Sequence, residues 1–313
     1  MIFDAITFAV SLALGLLAYP FLIRFLRRLK FGQVIQAELS EAHQKKAGTP
    51  TGGGILFVGL GILGGLLSLA MHPGAVPALS GLAIGGALGL LDDLTKLRVG
   101  SLGIPARLKF PIQVVAAIPI AWLAYRAGGD HQHLLPFQLG WLYWPLAVVA
   151  IVGAANAVNL TDGLDGLCGG LSLIALALLA LAVPGAPAGE RAVAMSLCGG
   201  LAAFLVYNRY PARVFMGDTG SLGLGAALAA MAIQQGYLVL LPLLGLVFVV
   251  ETLSVIIQVA YFKATGGRRV FKMTPIHHTF HLEGWSENRI ALSFWSAGAV
   301  AGIASGWVAR ALG

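Results

Sequence analysis

Ten stretches of the chain read as long apolar runs, at residues 1–23, 52–71, 75–91, 108–126, 141–158, 167–184, 191–207, 221–234, 237–262 and 290–312. A helix needs about 20 mostly apolar residues to cross a bilayer. The pattern therefore predicts an all-α, polytopic membrane protein with about ten transmembrane helices. The shortest run, 221–234, is parted from its neighbour only by "QQG"; a merger there would move every later connection to the other side of the membrane.

Composition agrees. With 58% hydrophobic and 11% charged residues and a mean hydropathy of +0.85, the chain is too apolar for a soluble domain. Its net charge of +7 suits anionic lipid at a membrane surface, and no nucleic-acid partner is expected. Cys168 and Cys198 lie in apolar runs and read as small packing residues without a disulfide framework. The first charge is Asp4 and the cations of "RFLRRLK" follow the first run, the order of a retained transmembrane helix rather than a cleaved signal peptide.

Charge sets the orientation. With ten spans and the N-terminus outside, one set of connections carries seventeen of the twenty Lys and Arg, leaving Arg126, Arg191 and Arg310 for the opposite face. Basic connections face the cytoplasm, so both termini are expected to be extracytoplasmic. Asp92, Asp93, Asp162, Asp165 and Asp218 then share the cytoplasmic face, with Asp4, Asp130 and Glu190 outside. No polar stretch is long enough for a core of its own. The expectation is one integral-membrane catalytic domain, 1–313, with cytoplasmic loops at 24–51, 92–109, 159–166, 208–220 and 263–289.

Four polar clusters punctuate this frame. In "GLLDDLTKL", Asp92 and Asp93 close an apolar run, where a helix C-terminus disfavours carboxylates, so the pair suggests a bound cation or proton transfer. In "NAVNLTDGLDGL", Asp162 and Asp165 would share a helical face with Asn159, and Gly163 and Gly166 allow close backbone approach. The plainer reading is that one aspartate caps the next helix. In "NRYPARVFMGDTGS", Asp218 stands in a turn suited to an anion or a metal, and Phe215 offers a ring face. In "KMTPIHHTFHLEGW", His277, His278 and His281 suit phosphate contact better than zinc, since neither H-E-x-x-H nor a nearby cysteine is present. "GLGILG" imitates a dinucleotide fingerprint but lies inside an apolar run, where helix packing explains it. Glu251, in mid-run, must face protein or water; the sequence gives it no role. Together the clusters suggest a hard divalent cation and a polyanionic substrate at one membrane face, hence phosphoryl transfer.

"HQKKAGTPTGGG", "LLDDLTK", "NAVNLTDGLDGL", "FMGDTGS" and "KMTPIHHTFHLEGW", in that order, resemble the successive signatures of the phospho-N-acetylmuramoyl-pentapeptide transferase family, within the polyprenyl-phosphate N-acetylhexosamine-1-phosphate transferases. The resemblance implies a ten-helix, typically dimeric enzyme of the bacterial inner membrane. Such an enzyme moves phospho-MurNAc-pentapeptide from UDP-MurNAc-pentapeptide to undecaprenyl phosphate, giving lipid I and UMP with Mg²⁺. It further implies that Asp218 is the magnesium ligand and that Asp92 and Asp93 act on the lipid phosphate. Lys46, Thr51, Asn159, Asp162, Gly163, Leu164, Asp165 and Phe215 match positions around the nucleotide, with Phe215 as stacking ring. Asn208, Lys109, His277 and His278 match other active-site positions. One departure is Thr279, which stands where the family usually carries a third consecutive histidine. The implied chemistry is proton acceptance by Asp92 and in-line attack by the lipid phosphate on the β-phosphorus; a two-step route through a covalent aspartate stays open. Two alternatives also stay open: a sister transferase of N-acetylglucosamine-1-phosphate, and a secondary transporter with acidic residues along an ion path.

Overall fold

The structure, a computed structural model, describes residues 2–29, 48–70, 72–99, 103–129, 132–134 and 138–312. Lys46, Asp130 and most of the expected 24–51 loop lie outside the described residues. Each apolar run carries one main helix, and no strand occurs among the described residues. The helices are α1 (Ile2–Arg28), α2 (Gly54–Leu69), α3 (Val76–Val99), α4 (Ala106–Ala124), α5 (Tyr143–Thr161), α6 (Leu167–Leu181), α7 (Ala188–Asn208) and α8 (Asp218–Gln234). They are followed by α9 (Leu246–Ala264), the short α10 (Ile276–Leu282) and α11 (Glu287–Leu312). Seven helical segments are long and apolar enough to cross a membrane; α2 and α6 are apolar but shorter, and α8 has 17 residues.

Two boundaries differ from expectation. The run 237–262 is not one helix: its start is broken into a 3₁₀ turn and the single turn Leu241–Leu244, and α9 begins only after Gly245. Pro242 stands in the first turn of that short segment, where its missing N–H is tolerated, and the break before α9 falls at Gly245 (φ −97°, ψ 28°). Conversely, α3 does not end at Leu91 but runs to Val99, so Asp92 and Asp93 belong to its last turns and not to a loop. The "QQG" break does divide two helices, with Gly236 at φ +77°.

Every residue of α8 is buried. It threads the bundle between α3, α5 and α2 while α1 and α4 present apolar side chains such as Leu17, Phe21, Phe25 and Val115 outward, as lipid contact requires. Close packing of α8 on α3 depends on missing side chains. A Cβ added at Gly81, Gly85 or Gly89, spaced four apart on α3, would lie 2.7, 2.7 and 2.1 Å from carbonyl oxygens of Ala226, Leu222 and Asp218 on α8. Small residues at this spacing let helix backbones approach where lipid supplies no hydrophobic drive. Gly61, Gly64 and Gly65 of the "GLGILG" region likewise face Leu197, Ser196 and Leu79, as helix packing predicts. Both cysteines are buried and free.

The bundle has two distinct ends. Asp4 of α1 lies 3.4 Å from Arg191 of α7, and Gly306 of α11 abuts Ala182 just beyond α6. Both ends of the described chain therefore lie at the end remote from Asp92, Asp162 and Asp218.

Replacing Gly89 by Ala forces a Cβ onto the Asp218 carbonyl, and overpacking of this kind costs about 1–3 kcal/mol. The thermal midpoint in detergent should fall. Gly59→Ala, where nothing lies within 4 Å of the added Cβ, should leave it unchanged or raise it.

Candidate active site

The polar end of the bundle is organised by the first turn of α8. Helix N-termini carry unpaired N–H groups and a partial positive charge. Here Gly217 (φ +79°) makes no side-chain cap, and the partner comes from another helix. The Asp218 N–H donates to Asp93 Oδ1 at 3.0 Å, while the Thr219 N–H and hydroxyl donate to Asp93 Oδ2 at 3.0 and 2.7 Å. Asp93 is thus consumed as the cap of α8. A Cβ on Gly217 would sit 2.9 Å from Asp93 Oδ2 and 3.1 Å from the Thr51 hydroxyl, so Thr51 also borders this turn.

That junction brings three carboxylates together. One oxygen each from Asp92, Asp93 and Asp218 can be chosen within 4.8 Å of one another. Two ammonium groups balance them. Lys96 Nζ lies 2.8 Å from Asp92, 3.0 Å from Asp218 and 3.8 Å from Asp93. Lys109, in the first turn of α4, contacts Asp218 Oδ2 and stands 3.6 Å from Asp92. Asn159 of α5 donates to Asp218 Oδ1 at 3.2 Å and to the Ser221 hydroxyl at 2.8 Å. The Ile104 N–H closes over Asp92 Oδ1 at 2.9 Å. Four helices converge on Asp218.

Residues 162–166 form a turn, so Asp162 and Asp165 do not share a helical face. Neither caps α6, whose N-cap is Gly166 at φ +76° without a side-chain bond. The two aspartates have different work. Asp165 is buried and accepts the Ala212 N–H at 2.8 Å, while its own N–H donates to Glu287 at 3.0 Å. Asn208 joins the same turn to the 209–217 segment, accepting from Gly166 N–H at 3.0 Å and donating to Val214 O at 2.9 Å. Leu164 packs into the core. These three therefore hold the loops from within. Asp162 instead borders the carboxylate cluster: burial first, then the charges of Asp218 and Asp93, push its carboxyl up to about 7, against a hydrogen bond from the Gly217 N–H. Phe215 keeps part of its ring accessible while its backbone pairs with Pro50 O and Gly53 N–H, both at 2.8 Å.

The histidine segment reaches the same turn from the other side. His277 and Glu251 are both fully buried, with Nδ1 3.0 Å from Oε2, and a Cβ on Gly163 would fall 2.4 Å from His277 Nε2. Gly163 is therefore required by the histidine ring. His278 is partly exposed, its ring 4.1 Å from that of His277. Thr279, where the resemblance expected a third histidine, clamps its own loop: its hydroxyl donates to Met273 O at 2.6 Å and accepts the Met273 N–H at 3.2 Å. Gln258 of α9 pins the loop further, accepting from Val270 and Phe271 N–H at 3.0 Å each.

Sequence reasoning missed Lys96, although its spacing of four from Asp92 on one helix was a visible pairing signal. It also left Glu251 without a partner, because nothing local links α9 to a histidine 26 residues on.

Comparison with known proteins gives a consistent family. Residues 76–236 match the model described as glycosyl transferase family 4. The chain is 45% identical over 298 residues to a phospho-N-acetylmuramoyl-pentapeptide-transferase of Heliobacterium modesticaldum, covering 93% of this chain and 92% of that protein. It is 44% identical to the protein of that name from Listeria monocytogenes, covering 96% of each. For Pelotomaculum thermopropionicum the identity is 46%, with 93% of each covered.

The raised Asp162 pKa has a definite sign for stability. The folded state favours the neutral acid, so ionisation costs stability as pH rises from the ordinary value, 3.8, to about 7, and the cost is complete above that. Asp162→Asn should therefore raise the thermal midpoint of cation-free protein at pH 8 more than at pH 5. An equal effect at both would contradict this.

Proposed function

The chain belongs to the phospho-N-acetylmuramoyl-pentapeptide-transferase family, and we propose that it moves phospho-MurNAc-pentapeptide from UDP to undecaprenyl phosphate, releasing UMP and forming lipid I. The observation that carries the proposal is the cluster of Asp92, Asp93 and Asp218 with Lys96 and Lys109 at one end of a membrane-type bundle. A transporter would instead need its ionisable groups near the bilayer midplane.

The donor set suits a hard divalent cation. Asp93 is spent on α8, which leaves Asp92 and Asp218, and Mg²⁺ typically binds one or two carboxylates together with phosphate oxygens. When bound, Mg²⁺ supplies charge neutralisation on the diphosphate. The chain's own residues do the rest. Lys96 and Lys109 offset the negative charge of two phosphorylated substrates meeting there. Asp92 accepts the residual proton of the lipid phosphate, whose oxygen forms a new bond to the β-phosphorus while the bond to the UMP oxygen breaks in line. Every carboxylate of the cluster already has an ammonium or N–H partner, which favours direct displacement over attack by an aspartate. Phe215, part-exposed beside Gly53, is the ring on which uracil stacks.

The same reading places the protein in the bacterial cytoplasmic membrane, as a homodimer with the aspartate end toward the cytosol. Lys96, Lys109, Arg209, Arg213, Lys272 and Arg289 lie at or near that end, as the positive-inside rule requires, and a soluble uridine nucleotide reaches it there.

Purified protein in detergent should form lipid I and UMP only with both substrates and a divalent cation, and UDP-N-acetylglucosamine should not replace the muramoyl donor. Asp218→Asn should lower kcat by about 100-fold or more, and Lys109→Met by about 10-fold or more. UMP release unaffected by Asp218→Asn would remove the cluster from the reaction.

A further inference from the structure

A carboxylate in the middle of an apolar helix is costly unless it is paired and enclosed by protein. Glu251 of α9 is enclosed and is paired through one oxygen: it is fully buried, Oε2 lies 3.0 Å from Nδ1 of the equally buried His277, and Oε1 has no hydrogen-bond partner among the described residues. With Glu251 as the acceptor of this pair, Nδ1 carries the hydrogen. That fixes the ring. Its other nitrogen, Nε2, is buried, has no hydrogen-bond partner among the described residues, and faces Gly163 at the close approach described above. A buried polar atom without a partner is costly, so its retention asks for a role. Gly163 follows Asp162, which borders the carboxylate cluster through Gly217.

We propose that Glu251 is a positioning residue for the transfer reaction: by holding the Nδ1 hydrogen of His277, it directs the Nε2 lone pair at the residue 162–166 turn to accept a hydrogen bond from a hydroxyl or N–H of the bound substrate. The arrangement joins α9, α10 and the turn through one imidazole. Because residue 163 has no side chain, a small shift of the turn is enough to bring a substrate donor group to the ring edge. Glu251 never touches the substrate; it acts through His277. The proposal rests on the transferase reading above, so one of its tests must work without turnover.

Lipid I formation should be measured for Glu251→Gln, Glu251→Asp, His277→Asn and the Glu251→Gln/His277→Asn double variant, with the thermal midpoint of each. Glu251→Gln should lower kcat by about 10- to 100-fold with KM for the UDP substrate little changed. Glu251→Asp should keep more activity than Glu251→Gln, and the double variant should be no slower than His277→Asn alone. Independent losses that multiply in the double variant would overturn the proposal. So would a loss confined to KM, or one that follows the thermal midpoint. The turnover-free readout is ¹⁵N-histidine NMR: His277 should hold its hydrogen on Nδ1 in the unmodified protein and lose that preference in Glu251→Gln. An unchanged His277 spectrum would refute the positioning role even if lipid I synthesis is confirmed. Inactive wild-type protein with the expected spectrum would count against the transferase reading instead.

Discussion

The carboxylate of Asp93 bonded to the first turn of α8 is the constraint on which the rest of the site depends. It supplies three hydrogen bonds to a helix start that has no cap of its own. Charge-assisted bonds at a helix N-terminus are among the stronger interactions a carboxylate can make. They lock α3 against α8 at one end, while Gly81, Gly85 and Gly89 admit the close backbone approach along the rest of the contact. From that dock follow the positions of Asp92 and Lys96, one residue before and three after Asp93, and of Asp218 itself.

Several like charges at a buried junction would repel unless balanced. The two lysines, the Asn159 amide and the Ile104 N–H distribute donors over Asp92 and Asp218, so the cluster is satisfied within the chain. The same ammonium groups then face any anionic substrate. Asp162 stands outside this set of donors, which is why burial and its neighbours raise its pKa. The site therefore has an inner layer that fixes geometry, made by Asp93, Asp165, Asn208 and Glu251. The groups proposed to meet a ligand are Asp92, Asp218, Lys96, Lys109 and Asp162, of which Asp92 is as buried as Asp93.

Much of this was legible in the sequence. The main helices follow from apolar run length, and the gathering of aspartates at one end follows from counting the spans between them and the charge of the connections. Helix ends were not legible, since α3 continues about two turns of mixed polarity past Leu91 and Gly245 parts α9 from the short turn before it. The division of labour among the aspartates was hidden for a different reason. Asp92 and Asp93 are neighbours of the same type, and only their tertiary partners, α8 for one and the lysines for the other, tell them apart. Asp165 and Asn208, matched by resemblance to nucleotide-binding and active-site positions, turn out to bond backbone groups of facing loops. Thr279 shows the same limit: its clamp on Met273 needs a folded loop to exist.

The central claim is that Asp93 holds α8 in place. It is tested most directly by a double-mutant cycle on thermal stability with Asp93→Asn and Thr219→Val. The account predicts that each single change lowers the midpoint and that the two are strongly non-additive, with a coupling of about 0.5–3 kcal/mol. Additive effects, or an Asp93→Asn protein as stable as the wild type and defective only in turnover, would contradict it.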